Sequence, residues 1–94
     1  VKISGLIWLD DIVRKIAQKH GVQREEVKQA FANRPRFRFV EKGHRAGENV
    51  YSVSGRTDAG RYLIAFFIHK KDHRALILSA RDMTESERGR YGKK

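Results

Sequence analysis

Arginine is the residue type in this chain best placed to do chemistry, and two arginines stand at telling positions. Arg56 closes an extended run from Val50, and Arg81 follows another from Ala75 to Ala80. In an antiparallel meander alternate strands point the same way, so these two ends meet at one rim, where strands opening at Arg36 and Arg61 also begin. With neighbouring strands about 4.8 Å apart, Arg56 and Arg81 would straddle a central strand at a separation on the order of 10 Å. A guanidinium fork binds phosphate bidentately and keeps its charge, so such a pair could hold a phosphodiester and stabilise a pentavalent transition state. A solvated sheet edge with surface ion pairs is the plain alternative.

Histidine is the usual proton carrier near neutral pH, and the chain has four. His20 ends a helical pattern, where the helix dipole favours a cation, so capping competes with chemistry there. His44 lies in a glycine-flanked stretch that the meander places at the opposite edge from Arg56 and Arg81. His69, Asp72 and His73 span a turn and lack a further ligand nearby, so no metal site is expected. The Gly55 to Gly60 stretch lacks the lysine and following helix of a phosphate loop, and no cofactor is expected. Without cysteine the chain has no disulfide, thiolate metal site or thiol nucleophile, which fits the cytosol.

Lys and Arg total 21 against 11 Asp and Glu, a net charge of +10, which suits a phosphate-rich partner. Residues 1 to 33 carry 6 positive and 4 negative side chains and the remainder 15 and 7, so the second region should meet the anion. The longest apolar run, Leu63 to Ile68, is too short to span a membrane, and no signal-peptide pattern opens the chain.

The elements that must position these side chains form an α+β pattern in one domain, residues 1–94. Ile3 to Trp8 offers a short edge strand. Ile12, Val13, Ile16 and Ala17 recur at helical spacing between Asp10 and Lys19, and Gly21 stops that helix. A second helix runs from Arg24 to Ala32, with Val27, Ala30 and Phe31 inward, and Asn33, Arg34 and Pro35 end it. Arg36, Phe37, Arg38 and Phe39 then alternate with period two, so one strand face carries aromatics and the other guanidinium groups. Glu41 to Asn49 reads as a long mobile loop and Thr57 to Gly60 as a hairpin turn. Tyr62 to Ile68 is apolar on both faces, as in a central strand, and Lys70 to His73 turn the chain into the last strand. The result is two helices, a four-stranded antiparallel meander and a C-terminal helix. Thr84 and Glu87 form a capping box that starts the last helix.

Two other functions fit parts of this pattern. Ala17, Gly21 and Val27 have helix-turn-helix spacing, but Glu25 and Glu26 would face DNA phosphates at the start of the second helix. A non-catalytic RNA-binding module would use Tyr51 or Tyr62 to stack bases and arginines to hold the backbone.

The run from Ile77 to Tyr91, in which Ser79-Ala80-Arg81 ends a strand and a capped helix ends in Arg-x-Tyr, resembles the C-terminal signature of the BrnT toxin family. Trp8, the segment Lys19 to Val22, and the pairs Gly55-Arg56 and Gly60-Arg61 extend the resemblance over most of the chain. It implies a RelE-like fold, metal-independent RNA cleavage by a type II toxin, and neutralisation by a ribbon-helix-helix, DNA-binding antitoxin, BrnA. It also implies that Arg56 and Arg81 polarise the scissile phosphate and that Tyr91 or Lys19 moves protons; His20 is a further candidate for proton transfer, and Arg36, Arg38, Arg61 and Arg88 are candidates for contact with RNA. The chain departs from the family pattern at Leu9, Val13, Ile16 and Val50.

Overall fold

The computed structural model describes residues 1–92. Its elements, in chain order, are β1 (Gly5–Ile7), α1 (Asp10–His20), α2 (Arg24–Ala32), β2 (Arg36–Arg45), β3 (Glu48–Arg56), β4 (Tyr62–His69), β5 (Arg74–Asp82) and α3 (Glu85–Gly92). The strands form one sheet in the order β1-β5-β4-β3-β2. Strands β2 to β5 are the expected antiparallel meander. The short N-terminal strand adds to it at the β5 edge, parallel to its neighbour, with Leu6 opposite Ala75.

Alternation along the strands gives the sheet two different faces. Leu63, Ala65 and Phe67 of β4, with Val53, Ile77 and Ala80, point to one face and are fully or almost fully buried against Ile16, Val22, Val27 and Ala30 of the helical layer. Phe31, Phe37 and Phe67 meet there with ring centroids 5.3 to 6.1 Å apart. Strand β3 passes so near α2 that a Cβ on Gly55 would lie 2.1 Å from the Ala30 carbonyl oxygen, so only glycine fits. The intermediate residues face the other way. Arg36, Arg38, Ser52, Ser54, Arg56, Tyr62, Ile64 and Phe66 occupy matching register positions on that second face, and Arg81 lies opposite Ile64.

The stretch expected as a loop is strand instead. β2 continues to Arg45, the chain turns at Ala46 and Gly47, and β3 begins at Glu48. The two glycines serve the pairing. Gly47 takes φ +79 in the turn. At Gly43, beside an irregularity in the ladder, a Cβ would fall 1.8 Å from the Glu48 carbonyl oxygen. The Glu48 carboxylate accepts a hydrogen bond from Lys70 Nζ at 2.9 Å, which ties this hairpin to the β4–β5 turn and holds the carboxyl below its ordinary range.

The two N-terminal helices lie on the sheet, with Val27 and Ala30 buried beneath α2. Glu26 caps α2 reciprocally with Gln23 and also meets Arg61, so that carboxylate is part of the packing. Among the described residues no helix is long and apolar enough to cross a membrane.

Candidate nucleic-acid interface

Among the described residues the third helix is the only helix on the second face, and it begins as its sequence demands. Thr84 Oγ1 accepts from the Glu87 amide at 3.1 Å, and Glu87 Oε1 accepts from the Thr84 amide at 2.8 Å. The same carboxylate accepts from both terminal guanidinium nitrogens of Arg81, at 2.7 and 3.0 Å. One glutamate thus caps α3 and clamps it to β5. At the far end of the helix, the Tyr91 hydroxyl donates to the Arg34 carbonyl at 3.0 Å. That carbonyl is presented by an unusual backbone, since Arg34 sits at φ +52 between the end of α2 and Pro35.

Between α3, the end of α2 and the rim of the sheet lies a cleft of about 550 Å³. Arg34, Arg36, Arg56 and Arg88 line it together with Tyr62 and Tyr91, and among the described residues no carboxylate does. The tyrosine rings organise the cations. The guanidinium carbons of Arg56 and Arg88 lie 4.6 and 4.4 Å from the centre of the Tyr62 ring, and that of Arg36 lies 5.9 Å from the centre of Tyr91. The two rings meet edge to face at 6.1 Å. Cation–π contacts hold the positive groups close together without neutralising them, so the cleft suits an anion such as a phosphodiester.

The structure treats the sequence-predicted residues unequally. Arg36, Arg56, Arg88 and Tyr91 come together in this cleft. Arg81 is on the same face, two register positions from Arg56 along β4. It does not line the cleft: its guanidinium lies 5.5 Å from the centre of Phe66 and is taken by Glu87, which raises its pKa. Arg38 lines an adjoining groove.

Arg61 points the other way. Its donors reach both Asp82 oxygens at 2.6 and 3.1 Å, Glu26 at 3.2 Å, and the carbonyls of His20 and Gly21 at 2.8 Å each. It bolts the end of α1 to the sheet rim, and these carboxylates, Asp82 first, raise its pKa. Lys19 and His20 belong to that helical layer and do not reach the cleft. Of the other histidines, His44 lies near the distal end of β2, and the His69 and His73 rings lie tilted to one another with centroids 5.4 Å apart. Asp72 there is held by Arg74 at 2.7 Å. Sequence reasoning missed Arg34 and gave Tyr62 only a stacking role. The Asn33-Arg34-Pro35 helix stop was the available signal for the first, and the pairing of Tyr62 with Arg56 for the second.

A family model described as "Ribonuclease toxin, BrnT, of type II toxin-antitoxin system" matches residues 8–87, most of the chain. The chain belongs to the BrnT family. No curated protein matches it. The BrnT match contains Arg34, Arg36, Arg56, Tyr62, Arg81 and Glu87, while Arg88 and Tyr91 on the last turns of α3 lie just beyond it. Of the departures from the BrnT pattern, Ile16 is fully buried and Val13 partly so, whereas Leu9 is half exposed at the start of α1.

Proposed function

We propose that this BrnT-family chain is a metal-independent endoribonuclease that binds the scissile phosphate of RNA in the cleft between α3 and the sheet rim. One observation carries the reading: four arginines gathered with two tyrosines in a cleft that no carboxylate of the described residues lines. In the reaction the neighbouring 2′-hydroxyl oxygen bonds to phosphorus and loses its proton to water. The bond from phosphorus to the 5′-oxygen breaks, leaving a cyclic phosphate and a 5′-hydroxyl. Arg36, Arg56 and Arg88 stabilise the added negative charge, which is where most of the rate gain arises in such a site. A tyrosine hydroxyl both donates and accepts. Tyr91, released from the Arg34 carbonyl, gives its proton to the leaving 5′-oxygen and regains one from water. Arg81 acts from behind, as the anchor that positions α3. The need for a 2′-hydroxyl makes RNA the substrate.

Cleavage of labelled single-stranded RNA in EDTA tests this. Wild type should cut, and Arg56→Ala should cut about a hundredfold more slowly, the usual cost of one such donor. Cleavage that requires a divalent ion, or that is indifferent to Arg56, would overturn it.

A second reading, a non-catalytic RNA- or antitoxin-binding scaffold, is favoured by one feature: none of the four histidines lines the cleft. The same assay separates the two readings. The partner consistent with the family is a BrnA-like ribbon-helix-helix antitoxin, met in the cytosol, and co-purification with the product of an adjacent reading frame tests that.

A further inference from the structure

Beside the cleft, on the same sheet face, runs a groove of about 470 Å³ that shares Arg36 and Tyr91 with it as a common wall. We propose that this groove is a subsite for one unpaired nucleobase next to the phosphate held by the arginines, an inference that rests on the RNA-cleaving reading above.

The floor is apolar where a base needs a surface. Ile64 and Phe66 of the central strand lie there, 6% exposed and partly exposed respectively. Bases of any identity stack on such a floor through their π faces. Directly across the register, Ser54 pairs with Ile64 and Ser52 with Phe66, so both serines line the groove at fixed positions along the floor. Ser52 is 4% exposed, so Ser54, which is partly exposed, is the one whose hydroxyl can donate to or accept from the edge of a base. Arg38 and Arg90, both exposed, stand on the rim, where the phosphate beyond that base would run.

Charge favours a polynucleotide strand over a protein segment as the occupant. Three arginines line the groove against one carboxylate, that of Glu87, which Arg81 already neutralises. Because Tyr91 and Arg36 divide the two pockets, a strand with its phosphate in the cleft must turn the adjoining base across them into the groove. A paired base offers no free face for this, so the substrate class is single-stranded RNA.

The test uses binding, so that it stays independent of catalysis. Anisotropy of a short labelled 2′-O-methyl oligonucleotide, which cannot be cleaved, is compared with the same strand carrying abasic positions. Wild type should bind the intact strand about tenfold more tightly. Ser54→Phe fills the groove and should reduce the intact strand to the abasic level while leaving abasic binding unchanged. If Ser54→Phe does not fold, Ser54→Val supplies the same comparison, with part of the preference lost. Equal wild-type affinity for both strands, the result also expected of a groove built for a protein segment, would overturn the subsite even if RNA is cleaved. Binding of neither strand would overturn the RNA reading and the subsite with it.

Discussion

Replacing Glu87 by glutamine removes the charge and turns one of the two oxygens that hold Arg81 into an NH2 group that cannot accept from it, while the remaining oxygen can still accept the Thr84 amide as the capping box requires. In the folded chain the Glu87 carboxyl is lowered from 4.5 to about 2, chiefly by the hydrogen-bonded Arg81 guanidinium and against the cost of desolvation. A shift of that size corresponds to about 3 kcal/mol at 1.36 kcal/mol per unit. The Glu87 side chain is 16% exposed and that of Arg81 32%, so solvent screening trims the contribution to about 2 kcal/mol. The folded pKa lies below the unfolded one. The stabilisation is therefore complete above about pH 5 and is lost as pH falls through 4.5 toward 2, with less than half left at pH 3. Since α3 is held mainly through its two ends, its local opening should absorb part of this loss. Thermal denaturation should show a midpoint lower by up to about 10 °C for Glu87→Gln at pH 7. Amide exchange within α3 should accelerate more than in β4. At pH 3 the gap between the two proteins should shrink to less than half of its value at pH 7. An equal gap at both pH values would refute the assignment of this stability to the Glu87 charge.

Three other substitutions test the scaffold. Leu9 is the N-cap of α1, is 49% exposed and makes no side-chain capping bond, so Leu9→Asp should stabilise the protein by about 1 kcal/mol in urea denaturation. Gly55→Ala should destabilise it by about 2 kcal/mol or more, because a methyl group would meet the Ala30 backbone at 2.1 Å; an unchanged midpoint would contradict the close approach of α2 and β3. Arg61→Ala leaves Asp82 and Glu26 without their cation, and should cost about 2–3 kcal/mol of stability while folded protein keeps its RNA affinity. A selective loss of RNA binding would place Arg61 in the interface after all.

Much of this was legible because local rules carried it. The Arg36 to Phe39 alternation sorts aromatics and guanidinium groups to opposite faces, and the Thr84–Glu87 spacing announces the cap of α3. The β2–β3 hairpin was misread because Gly43 and Gly47 resemble loop residues, whereas one permits a close approach in the ladder and the other makes its turn. Gly55-Arg56 and Gly60-Arg61 look alike as dipeptides, yet Arg56 pairs with Tyr62 on the cleft face while Arg61, one residue earlier than Tyr62, turns to the helices. Its partners lie 21 and 35 residues away in sequence, and no local pattern discloses them. Arg81 had the opposite fate: strand direction put it at the right rim, but the carboxylate that caps the next helix takes its guanidinium.

That arrangement makes the cleft conditional. Arg36, Arg56 and Tyr62 are supplied by the sheet, while Arg88 and Tyr91 arrive only when α3 is docked, and Glu87 is the joint. An RNA strand that needs both halves sees only the docked fraction, and its apparent affinity falls in proportion as that fraction falls. Glu87→Gln should therefore weaken RNA binding without removing any group that meets phosphate, and only to the degree that amide exchange reports α3 open. Neutralising a carboxylate beside a cationic cleft would by simple Coulombic reasoning strengthen RNA binding, so the two effects have opposite signs. Tighter binding with α3 open would show that the sheet arginines suffice and that Arg88 and Tyr91 lie outside the site; weaker binding in step with opening would show that the helix completes it.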